Sequence, residues 1–137
     1  MKARLTLAAA AFAAALSLTV DAATLPAPQT VNGITYLSGG IGREEVAAIK
    51  AEAKNYPLSL VFSAGPRHAF VADVKVTIKD KAGKVLLDSV SGGPIVLVKL
   101  AAGNYTVHAV QGGVALNRAV HVAAQGGKQL ALHWRKA

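Results

Sequence analysis

The four histidines, at positions 68, 108, 121 and 133, are the residues of this chain best suited to chemistry near neutral pH. Imidazole titrates in that range and is a common metal ligand. Three of them, His108, His121 and His133, fall in stretches that read as strands, beside the apolar residues Val107, Val122 and Trp134. Adjacent strands would let them converge on a metal ion. No pair has the i, i+2 or i, i+4 spacing that joins two ligands on one element, so solvated strand histidines are the preferred reading. His108 and His121 stand as candidate ligand contacts, together with the cations Arg43, Lys75 and Lys79. No residue is assigned a catalytic, cofactor-binding or metal-ligating role, and no cofactor is expected.

Other chemistries find less material. The chain has no Cys, which removes disulfides, thiolate metal sites and Cys nucleophiles. Ser38, Ser63, Ser89 and Ser91 lack a nucleophile-elbow pattern and read as turn or surface residues. Glu44 and Glu45 sit at a predicted helix start, while Asp73, Asp80 and Asp88 read as surface or turn residues. No carboxylate pair is therefore expected to share a cleft. The run Gly39-Gly40-Ile41-Gly42-Arg43 offers backbone N–H groups to an anion, with Arg43 beside them. It lacks the P-loop Lys, and a flexible helix entry is the preferred reading, since every helix needs such a start. Trp134 is able to stack on a sugar ring, but its alternation with Leu130 and Leu132 favours core anchoring.

The elements that position these residues begin after an export signal. Lys2 and Arg4 precede the apolar run Leu5 to Val20, and small residues follow at Ala22 and Ala23. That order is the layout of a cleavable signal peptide, residues 1–22, and the apolar run is short for a bilayer span. Its removal takes two basic residues and one acidic one from the formal +8, leaving +7, and also removes the sole Met. Residues 23–33, with Pro26 and Pro28, read as a flexible leader. Residues 34–57 read as a loop, Tyr36 to Gly42, followed by a helix over Arg43 to Asn55. In that helix the acids lie in the first turn and Lys50 and Lys54 near the last, as the helix dipole favours. Val46, Ile49 and Ala53 form one apolar stripe, and Pro57 ends the element.

From residue 58 to 137 the period becomes two. Leu58, Leu60 and Phe62 alternate with more polar neighbours, as do Val74, Val76 and Ile78. Further strands are predicted at Lys84–Val90, Ile95–Leu100, Tyr105–Val110, Val114–Val122 and Lys128–Trp134, separated by glycine-bearing turns. Asp80 to Gly83 is one such turn, because Asp bonds its own backbone and Gly accepts a positive φ. Seven short strands so spaced predict a mostly β protein, an antiparallel β-sandwich with one N-terminal helix over an end or edge.

The second half of the chain, Val71 to Trp134, resembles the carboxypeptidase regulatory-like domain, a transthyretin-like (prealbumin-like) sandwich. The likeness rests on Val74-Lys75-Val76-Thr77-Ile78, Asp80 to Gly83, Gly93, and Leu97 to Val107, which follows an "L-x-P-G-x-Y-x-V" pattern through Gly103 and Tyr105. Two positions depart from it: Ala102 stands where Pro is usual, and Pro94-Ile95 follows Gly93 where an aromatic is common. The resemblance implies an accessory, non-catalytic domain, and the grouping of such sandwiches with carbohydrate-binding-like folds implies glycan binding as the alternative. Hydroxyisourate hydrolases, which are similar in fold, end in Tyr-Arg-Gly-Ser; this chain ends His133-Trp134-Arg135-Lys136-Ala137.

These readings combine into one expectation: an exported, non-catalytic binding module of the cell envelope, periplasmic or secreted. A His-dependent metal binder or a small hydrolase ranks lower. The expected partner is an envelope protein or an anionic glycan or lipid component, attracted by the basic charge. Nucleic acid is not expected, since export separates the protein from it and no recognition motif is present. Nor is stable membrane insertion expected once the signal is cleaved.

Overall fold

The computed structural model describes residues 25–136; the expected signal segment, residues 1–22, lies outside them. The chain order is β1 (Gln29–Val31), β2 (Ile34–Gly39), α1 (Arg43–Glu52), a 3₁₀ turn (Ala53–Asn55), β3 (Leu58–Ala64) and β4 (Ala69–Phe70). It continues with β5 (Lys75–Asp80), β6 (Val85–Val90), β7 (Ile95–Val98), β8 (Gly103–Gln111), β9 (Val114–Val122) and β10 (Lys128–Trp134). Two sheets form, one of six strands in the order β1-β2-β7-β3-β10 with β4 also on β3, and one of four in the order β6-β5-β8-β9.

All seven predicted stretches form strands, but the described residues hold ten rather than seven. The additional strands are β1, β2 and β4. β1 falls within the Pro-containing leader, and β2 takes in Tyr36 to Gly39 of the expected loop. The cause is a tight hairpin at Asn32-Gly33, where both residues adopt positive φ (52° and 80°) and Val31 pairs with Ile34. Asn-Gly is the preferred pair for that turn, since both central positions need the left-handed region. The sandwich is also not wholly antiparallel, because β10 runs parallel to β3 along its full length.

Period-two alternation fills the space between the sheets. Leu58, Leu60, Phe62, Val96, Val98, Leu132 and Trp134 come from one sheet, and Val76, Ile78, Val107, Ala109, Val120 and Val122 from the other. Full burial of each Val, Leu, Ile or Phe among them stabilises the fold by about 1.5–3 kcal/mol relative to exposure. Trp134 is buried as its alternation predicts, tilted against Phe62, and its indole N–H donates to the Val114 carbonyl at 2.9 Å. That bond ties β10 to β9 across the sheets. Tyr105 works in the same way at the β7–β8 corner, its hydroxyl donating to the Ala101 carbonyl at 2.6 Å. Such a tyrosine corner locks the entry to a sandwich strand.

The helix lies on the outer face of the six-stranded sheet, not over an end or edge of the sandwich. Its stripe of Val46, Ile49 and Ala53 packs with Leu37, Tyr56, Ile95 and Leu97 into a second cluster. β7 is consequently buried on both faces, with Val96 and Val98 in the inter-sheet core and Ile95 and Leu97 beneath the helix. The unbroken run Ile95-Val96-Leu97-Val98 fits that position, for a strand covered on both faces has no polar side. Close backbone packing supports the junction: a Cβ on Gly93 would overlap the Gly39 carbonyl.

Candidate functional site

The two sheets expose very different outer faces. On the four-stranded sheet, cross-strand partners share a face, so the register defines rows of neighbouring side chains. One row runs Asp88–Thr77–His108–Asn117 across all four strands. The row on one side of it is Val90–Lys75–Val110–Ala115, and on the other side Lys79–Thr106–Ala119. Beyond Thr106 and Ala119 stand Asn104 and His121. Lys75, Lys79, His108 and His121 therefore occupy one face. Arg43 does not join them; it is exposed in the first turn of α1, which packs on the other sheet.

Each of these two histidines has an asparagine opposite it. His108 Nδ1 lies 2.6 Å from Asn117 Oδ1, and His121 Nδ1 lies 2.9 Å from Asn104 Oδ1. An amide oxygen only accepts, so Nδ1 is the donor in both pairs. The arrangement is reciprocal, with one His on β8 and one on β9. It also separates the rings. The two pairs stand four residue steps apart along β8, about 13 Å at strand rise, far beyond what two imidazoles on one metal ion span. Among the described residues no group of three or more His, Cys, Asp and Glu is placed to hold a metal ion.

Charge on this face is predominantly positive. Lys75 and Lys79 are exposed, and Lys81 and Lys84 extend the cationic area through the β5–β6 turn. Asp88 is the carboxylate within the rows, accepting from Thr77 Oγ1 at 3.5 Å. Asp80 has its carboxylate turned to structure, since Oδ1 accepts the amide N–H groups of Ala82 and Lys84, each at 2.9 Å. No Phe, Tyr or Trp stands in any of these rows.

The outer face of the six-stranded sheet is instead half covered. Beside α1 an apolar groove of about 250 Å³ runs over Val61, Ile95 and Leu97, with Ile49 and Ala53 as one wall and the exposed Phe70 at the other. One step along the sheet, Ser63 and His133 are register partners on β3 and β10, and Ser63 Oγ lies 3.0 Å from His133 Nδ1. His68, from the β3–β4 loop, stacks on His133 with ring centroids 3.9 Å apart and planes 20° from parallel. Sequence spacing does not reveal this cluster, because positions 63, 68 and 133 meet only through the parallel β3–β10 pairing. Stacked rings direct their nitrogens side by side rather than toward one ion. A serine nucleophile needs its histidine oriented by a third group, and the ring neighbour here is a second imidazole.

The glycine-rich helix entry holds an anion of its own. Glu45 Oε1 accepts the amide N–H groups of Gly40 at 2.7 Å and Ile41 at 3.1 Å. The side chain thus reaches back over the helix start in the manner of a capping box, with Gly42 at the N-cap. The N–H groups that made Gly39 to Arg43 a candidate anion loop are in part satisfied within the chain.

Tyr56, at the end of the helical segment, is buried, and Lys99 Nζ lies 5.2 Å from its ring centroid. Burial, reinforced by the negative charge of Glu52, raises the pKa of its phenol. No protein-family model and no curated protein matches this chain, so the meaning of these surfaces rests on their own geometry.

Proposed function

We propose that this protein is an exported, non-catalytic binding module of the cell envelope that docks through the outer face of its four-stranded sheet onto an anionic envelope component. Residues 1–22 act as its cleavable export signal, and the mature protein works in the periplasm or beyond it. The carboxypeptidase regulatory-like resemblance fits this role, because that domain serves as an accessory and the chain keeps its Gly103 and Tyr105 corner. One observation carries the reading: Lys75, Lys79, His108 and His121 share a bare face with hydrogen-bonding side chains and one carboxylate between the strands. A cationic patch of that kind attracts anionic polymers and lipid surfaces and releases them as salt screens it. Stacking on neutral sugars has less support, since the rows hold no Phe, Tyr or Trp and Trp134 is buried.

Retention of the mature protein on isolated envelopes tests the proposal, with bound components read by mass spectrometry. Capture at low salt, elution at high salt and loss of capture in Lys75→Gln/Lys79→Gln would agree with it. Capture indifferent to both salt and these lysines would end it. The export step is checked by the intact mass of the protein recovered from the periplasm, which should lack residues 1–22 or 1–23.

A further inference from the structure

The sandwich is open at one end, and the opening combines apolar surface with positive charge. Alternation along β9 directs Val114, Leu116, Arg118, Val120 and Val122 toward the inter-sheet side. Val120 and Val122 are buried there, but Leu116 is only half-buried, Arg118 is exposed, and Val114 is 54% exposed. Opposite them β10 ends at Trp134, followed by Arg135 and Lys136. The result is a cleft of about 400 Å³ lined by Val114, Leu116, Arg118, Trp134, Arg135 and Lys136, and bordered by His133. That volume falls within the range of about 300–1,000 Å³ typical of small-molecule sites. Among the described residues no Asp or Glu lines it. Arg118 Nη1 donates to the Asn117 carbonyl at 2.9 Å, which fixes the guanidinium and leaves its other N–H donors.

We infer that this cleft binds a single-chain fatty-acid carboxylate, its hydrocarbon against Val114 and Leu116 beside the buried Trp134, and its head group on Arg118 and Arg135. An apolar wall stabilises the chain by removing it from water, and a carboxylate matches the planar guanidinium fork. The apolar side is preformed, because the Trp134–Val114 hydrogen bond fixes the start of β9 against the core. The site lies on the opposite side of β9 from His121 and Asn117, so it is separate from the docking face and does not depend on it. Its rival explanation is structural: a charge pointing inward from an edge strand discourages strand-to-strand association.

Trp134 is the only tryptophan in the chain, so its fluorescence reports on the cleft directly. The purified protein is titrated with dodecanoate below its micelle concentration, and with a bromine-labelled fatty acid as a contact quencher. Saturable quenching is expected. Arg118→Gln/Arg135→Gln, with an unchanged circular dichroism spectrum, should weaken binding about tenfold or more, and dodecanol should be similarly weak, as charged hydrogen bonds are lost in both cases. Lys75→Gln/Lys79→Gln should bind the carboxylate normally. Absence of saturable quenching would overturn the inference, as would equal affinity for the alcohol or for the double-arginine variant. Self-association of that variant in sedimentation velocity, without carboxylate binding by the parent protein, would instead assign Arg118 to edge protection.

Discussion

The outer faces of the two sheets diverge although the same sandwich core supports both. The face of the six-stranded sheet carries Leu37, Ile95 and Leu97 and is half covered by α1. The face of the four-stranded sheet carries Lys75, Thr77, Lys79, Asn104, His108, Asn117 and His121 and has no covering element among the described residues. The contrast is written strand by strand. β7 has no polar residue in its four positions, whereas β5 alternates Lys-Val-Thr-Ile-Lys. A strand with two apolar faces requires a second layer, and one with a polar face requires water or a partner. The helix-covered surface therefore serves stability, and the bare face is left to water or to the partner proposed for it.

Substitutions that break this division should rank by how much buried apolar contact they remove. Phe62→Ala, in the core shared by both sheets, should cost about 3–5 kcal/mol in denaturant unfolding. Ile49→Ala, under the helix, should cost about 2–5 kcal/mol. Its effect should also be local, with amide exchange rising in α1 well before it rises in β5 and β8. Equal acceleration everywhere would mean that the helix and sandwich form one cooperative unit.

Smaller effects sharpen the comparison. Glu45→Ala removes the acceptor for two amide N–H groups at the helix entry and should destabilise by about 0.5–2 kcal/mol, measured by thermal melting. Tyr56 adds a pH dependence. Its phenol is raised in the folded state, so the neutral form is the one that folding favours. Its contribution is fully present below the unfolded value of about 10 and is lost as pH climbs through the raised folded value. Alkaline unfolding of Tyr56→Phe should lack that part of the decline. Lys75→Gln/Lys79→Gln should sit at the bottom of the scale, changing stability by less than about 0.5 kcal/mol, as exposed substitutions do. A large loss would show that those lysines belong to the fold.

Much of the sandwich was legible because alternation and turn chemistry act locally. The helix stripe at Val46, Ile49 and Ala53, the Asp80 turn and the core position of Trp134 all follow from short-range patterns. The β1–β2 hairpin was equally available in Asn32-Gly33, but the nearby prolines and the Gly39-Gly40 pair drew that stretch toward a leader and a loop. The position of the helix was present in Ile95-Val96-Leu97-Val98, whose lack of a polar face demands cover on both sides. What stayed hidden depends on register. Asn117 and Asn104 become partners of His108 and His121 only once β8 and β9 are aligned. Ser63 and His133 are 70 residues apart and meet through a parallel pairing that hairpin reasoning does not produce.

The role given to the bare face is tested most directly by amide chemical-shift mapping of the mature protein titrated with envelope components, beginning with phosphatidylglycerol bicelles. Perturbations should concentrate on β5, β8 and β9 around Lys75, Thr77, His108 and His121, and should diminish at high salt, where the screening length falls to about 3 Å at 1 M. Perturbations confined to α1 and its groove, or no perturbation by any anionic envelope component at low salt, would contradict the assignment.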